Sequence, residues 1–427
     1  MFALPAIDIK ELLSGRKKLV GLDIGSSSLK LVAMQESSKG YVLKSFYQIP
    51  VRRGVIVDGA LVEHEELSAR IKELFKLAGC SIKNVVTSLS GHAVIVKKVS
   101  FAVMEEGELR DLIHDEASKY LPFDDMAAVY FDFQILGANE FNPNLMEVLL
   151  VAAKKDIIDN YAESIKDAGL IPLIMDVDSF ALETMYEKNY DFAETDVAVI
   201  VNIGASITNI NVVKNGTSIF TRDFTLGGNA VTEAIQAKLG VTFDEAEQVK
   251  IAGPEGAKRL QEAGVTDILS LAEPICLEIE RSVDYFRSTF GNEEIKQALL
   301  SGGGAMIPGI AAEMTQRLGT DTEIINPFKK IGYDKKAIAG AAIESIGPIA
   351  AVGVGLALRK IGDKRSASIF CPTAKQPKRK ISNGRLQLLP APLLSFSWFS
   401  FCSRFLSVPA SAHWRRRSRR KTKSWSS

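Results

Sequence analysis

Hydrophobic residues recur with two different periods along most of the chain. In "HEELSARIKELFKLAG" they follow the helical period, with Leu67, Ile71 and Phe75 on one face, which predicts an amphipathic helix. In "VYFDFQIL" apolar and polar residues alternate, which predicts a half-buried strand. Segments of these two kinds follow one another from Leu19 to Gly362. Such a mixture predicts an α/β protein in which helices pack against sheets.

One strand–turn–strand phrase occurs twice, with its copies 179 residues apart. The copies are "VGLDIGSSSLKLV", starting at Val20, and "VIVNIGASITNINVV", starting at Val199. Their alignment pairs residues of the same kind at the turn: Asp23 with Asn202, Gly25 with Gly204, and Ser27 with Ser206. A repeat at this distance predicts two similar lobes and not a solenoid of short units.

The turn of each copy has the chemistry of an anion site. Glycine lets the backbone approach a ligand closely, and consecutive backbone N–H groups at such a tip form a concave anion-binding surface. Serine hydroxyls add donors, and a carboxylate such as Asp23 suits a hydrated Mg²⁺. A simple tight turn explains either copy alone better than an anion site does, because short glycine motifs occur often by chance. Two copies, with the glycine turn 302–304, favour nucleotide binding between facing tips.

Two further patterns predict local structure. Asn215-Gly216 lies between two strand patterns, which is a strong signal for a two-residue hairpin. The apolar run "IGPIAAVGVGLAL" has 13 residues, too few to span a bilayer, so it predicts a buried core helix.

The order of the motifs resembles that of the actin-like ATPase superfamily. "LDIGSSSLK", "VDSFAL", "VNIGASITNI" and "LLSGGGAMIPGI" are similar to its phosphate-1, connect-1, phosphate-2 and adenosine motifs, and "AIAGAAIESIGPIAAVG" to connect-2. The segment from "SLSGHAV" to "FDFQIL" resembles the small subdomain inserted in FtsA and PilM. "KKLVGLDIGSSSLKLV" and "MDVDSFAL" most resemble the PilM family of type IV pilus assembly. The resemblance covers roughly residues 17–362.

The resemblance implies a two-lobed actin-like ATPase fold, built from duplicated RNase H-like domains, with an FtsA-like inserted subdomain. The expected divisions follow the chain: an N-terminal arm at 1–18, lobe I at 19–197 with the insert near 90–140, lobe II at 198–338 with its IIB part near 229–295, a C-terminal helix returning to lobe I at 339–363, and a tail at 364–427.

The resemblance also implies a role for individual residues toward ATP and Mg²⁺. Asp23 would hold the metal through water, and Asp178 would orient the metal or the attacking water. Three residues keep an open alternative: Lys30 faces phosphate or solvent, and Arg281 and Ser282 line the base and ribose or belong to a solvated helix face. The remaining expected nucleotide-binding residues lie in the glycine-rich turns: Gly25, Ser26, Ser27, Ser28, Asn202, Gly204, Ala205, Ser206, Gly227, Gly228, Gly302, Gly303, Gly304 and Ala305.

The second tip departs from the chaperone-type pattern of the superfamily. That pattern has two acids where this chain has Asn202 and Asn209. An amide cannot accept a proton or neutralise Mg²⁺ as a carboxylate does, and loss of such a group commonly costs about 10²–10⁴-fold in rate. We therefore expect ATP binding with weak or absent ATPase activity.

The resemblance implies a cytoplasmic scaffold that binds the N-terminal cytoplasmic segment of a PilN-type membrane protein and contacts pilus motor components. The scaffold would lie at the inner membrane only through that partner. A groove beside the "VVTSLSG" strand is a candidate docking site by strand addition. An FtsA-like division scaffold and an actin-fold metabolite kinase are the alternatives.

Composition separates the last 64 residues from the rest. From Lys364 onward there are 15 Lys or Arg and no Asp or Glu, whereas the preceding residues carry 37 basic and 51 acidic side chains. A tail that binds membranes or nucleic acid nonspecifically and an out-of-frame gene end both explain this shift, and composition favours the second. No specific nucleic-acid partner is expected. The four cysteines and four histidines are scattered, which favours free thiols and no zinc site.

Overall fold

The computed structural model describes residues 18–38, 40–139, 142–291, 293–338 and 342–359. The basic tail, nearly all of the N-terminal arm and part of the connect-2 motif lie outside these residues. Ten α-helices of the described residues are labelled in chain order: α1 His64–Leu77, α2 Glu106–Glu116, α3 Lys155–Asp167, α4 Asp178–Asn189, α5 Gly228–Leu239, α6 Phe243–Ile251, α7 Pro254–Glu262, α8 Glu273–Thr289, α9 Ile310–Leu318 and α10 Ile343–Leu358.

The strands of the described residues form two large sheets, one small sheet and one short ribbon. They are β1 Val20–Ile24, β2 Ser28–Ser37, β3 Gly40–Pro50, β4 Ile56–Val57, β5 Ala60–Leu61, β6 Asn84–Leu89, β7 Val94–Ala102, β8 Val129–Ala138, β9 Leu145–Lys154, β10 Ile171–Val177, β11 Val197–Ile203, β12 Thr208–Lys214, β13 Thr217–Phe224, β14 Ile295–Ser301, β15 Thr322–Ile324 and β16 Gly332–Tyr333.

The two large sheets repeat one arrangement. The first has the order β10-β6-β1-β2-β3-β16 and the second the order β13-β12-β11-β14-β15. In each, three consecutive strands pair antiparallel, and the first of the three also pairs with a parallel strand on its other side. The repeated sequence phrase thus forms the same hairpin, β1–β2 and β11–β12, at the centre of each sheet.

Helices α4 and α10 pack between the two sheets. Their core residues, such as Leu182 and Val354, share one apolar cluster with Val32 of the first sheet and Ile200 of the second. Helix α10 is buried along most of its length, so the prediction of a buried core helix is confirmed. No helix among the described residues has both the length and the apolar content needed to cross a bilayer.

The small sheet has the order β7-β9-β8 and is antiparallel throughout. Leu109 of α2 packs against one face, and on the other face Leu149 and Val151 join the core of the first sheet. The sheet includes β9, which ends at Lys154, beyond the residues near 90–140 expected for the insert. The chain leaves the first large sheet after β6, forms the small sheet, and returns to the first large sheet through α3 and β10.

Two local predictions can be compared directly with the backbone. Asn215 and Gly216 have φ values of 51° and 70° between β12 and β13, so the predicted two-residue hairpin is confirmed. Strand β6, which contains "VVTSL", already pairs with β1 on one side and β10 on the other, so a peptide in a groove near this strand cannot add to β6 itself.

Candidate functional site

The tips of the two repeated hairpins face each other and touch. The Ser26 hydroxyl lies 3.0 Å from the Ser206 hydroxyl, within hydrogen-bond distance. Each tip is closed by the same backbone hydrogen bond: Gly25 N–H donates to the Ser28 carbonyl at 3.1 Å, and Gly204 N–H donates to the Ile207 carbonyl at 2.9 Å. The sequence repeat therefore builds two matching turns that approach each other from different sheets.

A cleft of about 1020 Å³ lies beside these tips. The sequence-predicted residues that line it are Asp23, Gly25, Ser26, Ser27, Ser28, Lys30, Asp178, Asn202, Gly204, Ala205, Gly228, Gly302, Gly303 and Gly304. Residues distant in sequence thus meet on one surface. Ser206 and Gly227 line a smaller cavity of about 430 Å³, to which Ser26 and Ala205 also contribute.

In each hairpin, one cross-strand pair of residues, here called the neck, lies beside the turn: Asp23 with Lys30 in the first hairpin and Asn202 with Asn209 in the second. In the first hairpin Lys30 Nζ lies 3.0 Å from Asp23 Oδ2 and its side chain is 14% exposed, so it faces this carboxylate and not bulk solvent. In the second, Asn202 Nδ2 donates to Asn209 Oδ1 at 3.2 Å. Strand register places the two pairs at equivalent positions. The first neck carries an ion pair and the second a neutral amide pair.

Asp178 begins helix α4 at the carboxyl end of β10 and faces the same cleft. Ser88 Oγ donates to its Oδ1 at 2.5 Å. Burial, followed by the nearby Asp23 carboxylate, raises the pKa of Asp178 to about 7, although the Ser88 hydrogen bond lowers it. An acid with such a pKa can exchange a proton near neutral pH.

The triple-glycine turn supplies the other wall of the cleft. A methyl group on Gly302 would lie 2.4 Å from the Ile203 carbonyl oxygen, and one on Gly304 would lie 2.2 Å from Ile203 Cγ2, so both positions need glycine. A methyl group on Gly303 would have no neighbour within 4 Å. Ala305 is fully buried beneath the turn. Of these residues, Gly303 offers the cleft a flat, open backbone surface.

Helix α5 begins directly on the second tip. Gly228 N–H donates to the Gly204 carbonyl at 2.9 Å, and Asn229 N–H donates to the Ala205 carbonyl at 2.8 Å. A methyl group on Gly227 would lie 2.5 Å from the Gly204 carbonyl oxygen. Gly227 therefore allows this close approach of the helix to the tip and supports the tip from behind.

The structure does not bring Arg281 and Ser282, the residues expected near the base and ribose, to the cleft. Arg281 is 64% exposed on α8 and lies 3.7 Å from Glu278. Ser282 is fully buried, and its hydroxyl donates to the Glu278 carbonyl at 2.7 Å. Arg281 therefore lies on a solvated helix face, which is the alternative given for it, whereas the buried Ser282 corresponds neither to a base-and-ribose position nor to a solvated face.

Helix α6 supplies cleft residues that sequence reasoning missed. Phe243, Glu247 and Lys250 line the cleft, and Lys250 Nζ donates to the Gly228 carbonyl at 3.1 Å. The available signal was the spacing of Glu247 and Lys250, three residues apart on one helix face. That spacing is equally typical of a solvated helix face, so only the tertiary structure identifies it as part of the cleft.

Asp23 lies at the first hairpin and Asp178 lines the same cleft, and the Asp23 carboxylate raises the pKa of Asp178. Mg²⁺ usually keeps several waters and binds one or two carboxylates together with nucleotide phosphates. The described residues include no group of three or more His, Cys, Asp or Glu that could hold a metal ion. Asp23 and Asp178 are two carboxylates in one cleft, which is the number that a hydrated Mg²⁺ bound together with phosphate commonly uses.

Comparisons with known proteins agree with this geometry. A solved structure of a PilM–PilN type IV pilus biogenesis complex is 29% identical, with a TM-score of 0.70, over 81% of this chain and 98% of that one. FtsA of Enterococcus hirae is 22% identical over 72% of this chain and 78% of its own length, and FtsA of Streptococcus pneumoniae is 23% identical over 75% and 77%.

The two matching sheets, together with the similarity of the chain to the solved PilM–PilN complex, define an actin-like ATPase fold. The family model "Type IV pilus assembly protein PilM" matches residues 21–361. The chain therefore belongs to the PilM family, the actin-like proteins of type IV pilus assembly.

Proposed function

We propose that this chain is an ATP-binding scaffold that holds a PilN-type membrane protein during type IV pilus assembly. The observation that carries the nucleotide part is the contact between two matching glycine-rich tips beside a large cleft. The tip N–H groups and serine hydroxyls would hold the β- and γ-phosphates from both lobes. The Gly303 backbone would lie against the adenosine, and Met306 and Ile307 would give that end of the cleft its apolar lining.

Mg²⁺ would bind with the phosphates, through water to Asp23 and beside Asp178. Bound there, it would neutralise phosphate charge, and its positive charge would favour the ionised form of Asp178. Lys30, already paired with Asp23, supplies a second positive charge at the first tip. In this arrangement the nucleotide connects the two lobes, and its presence matters more than its turnover.

Replacing Gly303 with valine is expected to weaken ATP binding at least about tenfold, which corresponds to about 1.4 kcal/mol. The new side chain enters open space in the cleft, so it competes with the nucleotide without disturbing packing. Titration calorimetry of the purified chain with Mg-ATP measures the effect. Gly107→Val is the matched control, because a methyl group on Gly107 would also have no neighbour within 4 Å and Gly107 lies on α2, away from the cleft. Wild-type affinity in Gly303→Val, or no ATP binding by the wild type, would refute the nucleotide proposal.

Weak turnover is expected, because Asn202 and Asn209 place no carboxylate at the neck of the second hairpin. Asn202→Asp is expected to raise the ATPase rate about tenfold by supplying a metal-organising charge. Phosphate release under saturating Mg-ATP measures this, with Asn215→Asp in the exposed β12–β13 turn as a control, away from the cleft lining. A rate that stays unchanged in Asn202→Asp shows that this amide is not what limits hydrolysis.

The partner part of the proposal rests on family membership. The solved relative is a PilM–PilN complex, and a PilN-type N-terminal segment is short enough to bind as an extended strand. In the small sheet β9 is paired on both sides, so strand addition there is limited to the outer edge of β7 or β8. Such binding would bring this chain to the inner membrane through its partner.

The test uses a synthetic PilN N-terminal peptide and the full chain. Saturable binding, with slowed amide exchange in β7 or β8, supports the scaffold proposal. An FtsA-like division role would be favoured instead if the peptide does not bind and the chain assembles with the division machinery. Phosphorylation of an added sugar or metabolite would favour the kinase alternative.

A further inference from the structure

Residues 88–93, here called the root segment, connect the first large sheet to the small sheet. The segment begins at the end of β6 and leads through a short 3₁₀ turn, Gly91–Ala93, into β7. Ser88, Leu89 and Ser90 line the large cleft. The chain that carries the small sheet therefore leaves directly from the wall of the nucleotide cleft.

The root segment is held by the second large sheet. Gly91 N–H donates to Asp223 Oδ2 of β13 at 2.6 Å. Ile207, the last residue of the second tip, packs against the same glycine, because a methyl group on Gly91 would lie 2.5 Å from Ile207 Cδ1. One backbone position thus contacts both the second tip and the edge strand of its sheet.

The packing around this contact leaves little space for adjustment. A methyl group on Gly59 would lie 2.7 Å from the Ser90 carbonyl oxygen and 3.8 Å from Ile207 Cδ1. Gly59 and Gly91 both have positive φ, at 81° and 69°, a region that favours glycine. Ser88 also donates to Asp178. A displacement of the second tip would therefore push or release the root segment directly.

We propose that Asp223 and Ile207 couple the nucleotide cleft to the small sheet, so that ATP binding fixes the position of the small sheet. This inference rests on the proposed nucleotide site. ATP bound at both tips would fix the second tip relative to the first, and the contacts of Ile207 and Asp223 with Gly91 would transmit that restraint to the start of β7. By linkage, a peptide bound on the small sheet changes ATP affinity by the same factor that ATP changes peptide affinity.

Hydrogen exchange measured by mass spectrometry tests the coupling on the full chain. In the wild type, saturating Mg-ATP is expected to slow amide exchange in β7, α2 and β8 at least about fivefold, the lower end of typical couplings. In Asp223→Ala the response is expected to disappear while ATP affinity stays within about threefold, since Asp223 is not among the cleft-lining residues. Asp223→Asn keeps an oxygen acceptor for Gly91 N–H and is expected to restore the response. Asp284→Ala removes an exposed carboxylate on α8 and serves as the charge control.

The outcomes separate the two proposals. Wild-type chain that binds ATP without slower exchange in the small sheet overturns the coupling and leaves the nucleotide site intact. If folded Asp223→Ala still shows slower amide exchange in the small sheet with Mg-ATP, the coupling proposal is also overturned. If that variant does not fold, the decisive variant is Asp223→Asn. Binding of ATP by Asp223→Asn without slower exchange in the small sheet then overturns the coupling proposal. Absence of any ATP or ADP binding by the wild type overturns both proposals.

Discussion

Gly355→Ala is expected to reduce the free energy of unfolding by about 3 kcal/mol or more, and to prevent folding if the lobes cannot separate. Gly355 lies where α10 crosses α4, between the two large sheets. A methyl group there would lie 1.8 Å from the Ala181 carbonyl oxygen and 2.4 Å from the Ala181 carbonyl carbon. Backbone of a buried helix cannot move aside as a flexible side chain can, so the two helices must shift apart.

Chemical denaturation followed by far-UV circular dichroism measures this change. Gly107→Ala is the control, because the same substitution on an exposed helix position without neighbours should be neutral or stabilise by up to about 1 kcal/mol. Equal stabilities of the two variants would contradict the close backbone contact between α4 and α10 at Gly355. Loss of stability in Gly355→Ala alone would confirm that close backbone contact, and not helix propensity, decides the residue at this position.

Glu183→Gln is expected to stabilise the protein at pH 8 and to leave its stability at pH 5 nearly unchanged. Glu183 is buried on α4, where its carboxylate accepts hydrogen bonds from the Ser218 N–H, at 2.8 Å, and from the Ser218 hydroxyl. Burial, which is the largest effect, and the nearby Asp176 carboxylate raise the pKa of Glu183, and against the opposing Ser218 hydrogen bonds the net result is a rise from 4.5 to about 7. Arg359, which forms an ion pair with Asp176, lowers the pKa of Glu183. Its single positive charge acts on both carboxylates.

The direction of the pH dependence follows from these pKa values. Between pH 4.5 and about 7 the folded chain keeps a proton on Glu183 that the unfolded chain releases. Stability from this group is therefore complete below pH 4.5 and is lost as pH rises toward 7. A shift of this size corresponds to a contribution on the order of 3 kcal/mol. Glutamine keeps an oxygen acceptor for Ser218 and has no proton to lose.

Urea denaturation of wild type and Glu183→Gln at pH 5, 6, 7 and 8 tests the prediction. The wild type should lose stability relative to the variant across this series, and the difference should level off above pH 7. Glu187→Gln is the control on the same helix, because Glu187 is about 40% exposed and pairs with Lys188 at the surface. Parallel pH curves for the wild type and Glu183→Gln would show that Glu183 is ionised in the folded protein at neutral pH.

Sequence patterns predicted those parts of the site that are local. Asp23, Gly25 and Gly204 belong to hairpin tips whose strands, glycines and hydroxyls are adjacent in sequence, and the repeat itself indicated two equivalent tips. The same is true of the Asn215-Gly216 hairpin and the apolar helix α10, because a turn type or an apolar run depends on neighbouring residues.

Residues on helix faces were predicted less well. Arg281 and Ser282 lie away from the cleft, whereas Lys250 and Glu247 line it. In α6 and α8 the spacing of charged and apolar residues does not identify one face as the buried one, so the pattern allows several orientations of each helix. The face that meets the cleft is set by how each helix packs on its sheet, which depends on residues far away in sequence.

The sequence by itself determined the strands, the glycine turns and the duplication, because these depend on backbone preferences and short-range periodicity. Only the tertiary structure decided that the two tips meet at Ser26 and Ser206, that Gly91 contacts Ile207 and Asp223, and that Glu183 shares a buried site with Arg359 and Asp176. Those contacts join segments up to 183 residues apart, and their formation depends on how two sheets pack around α4 and α10.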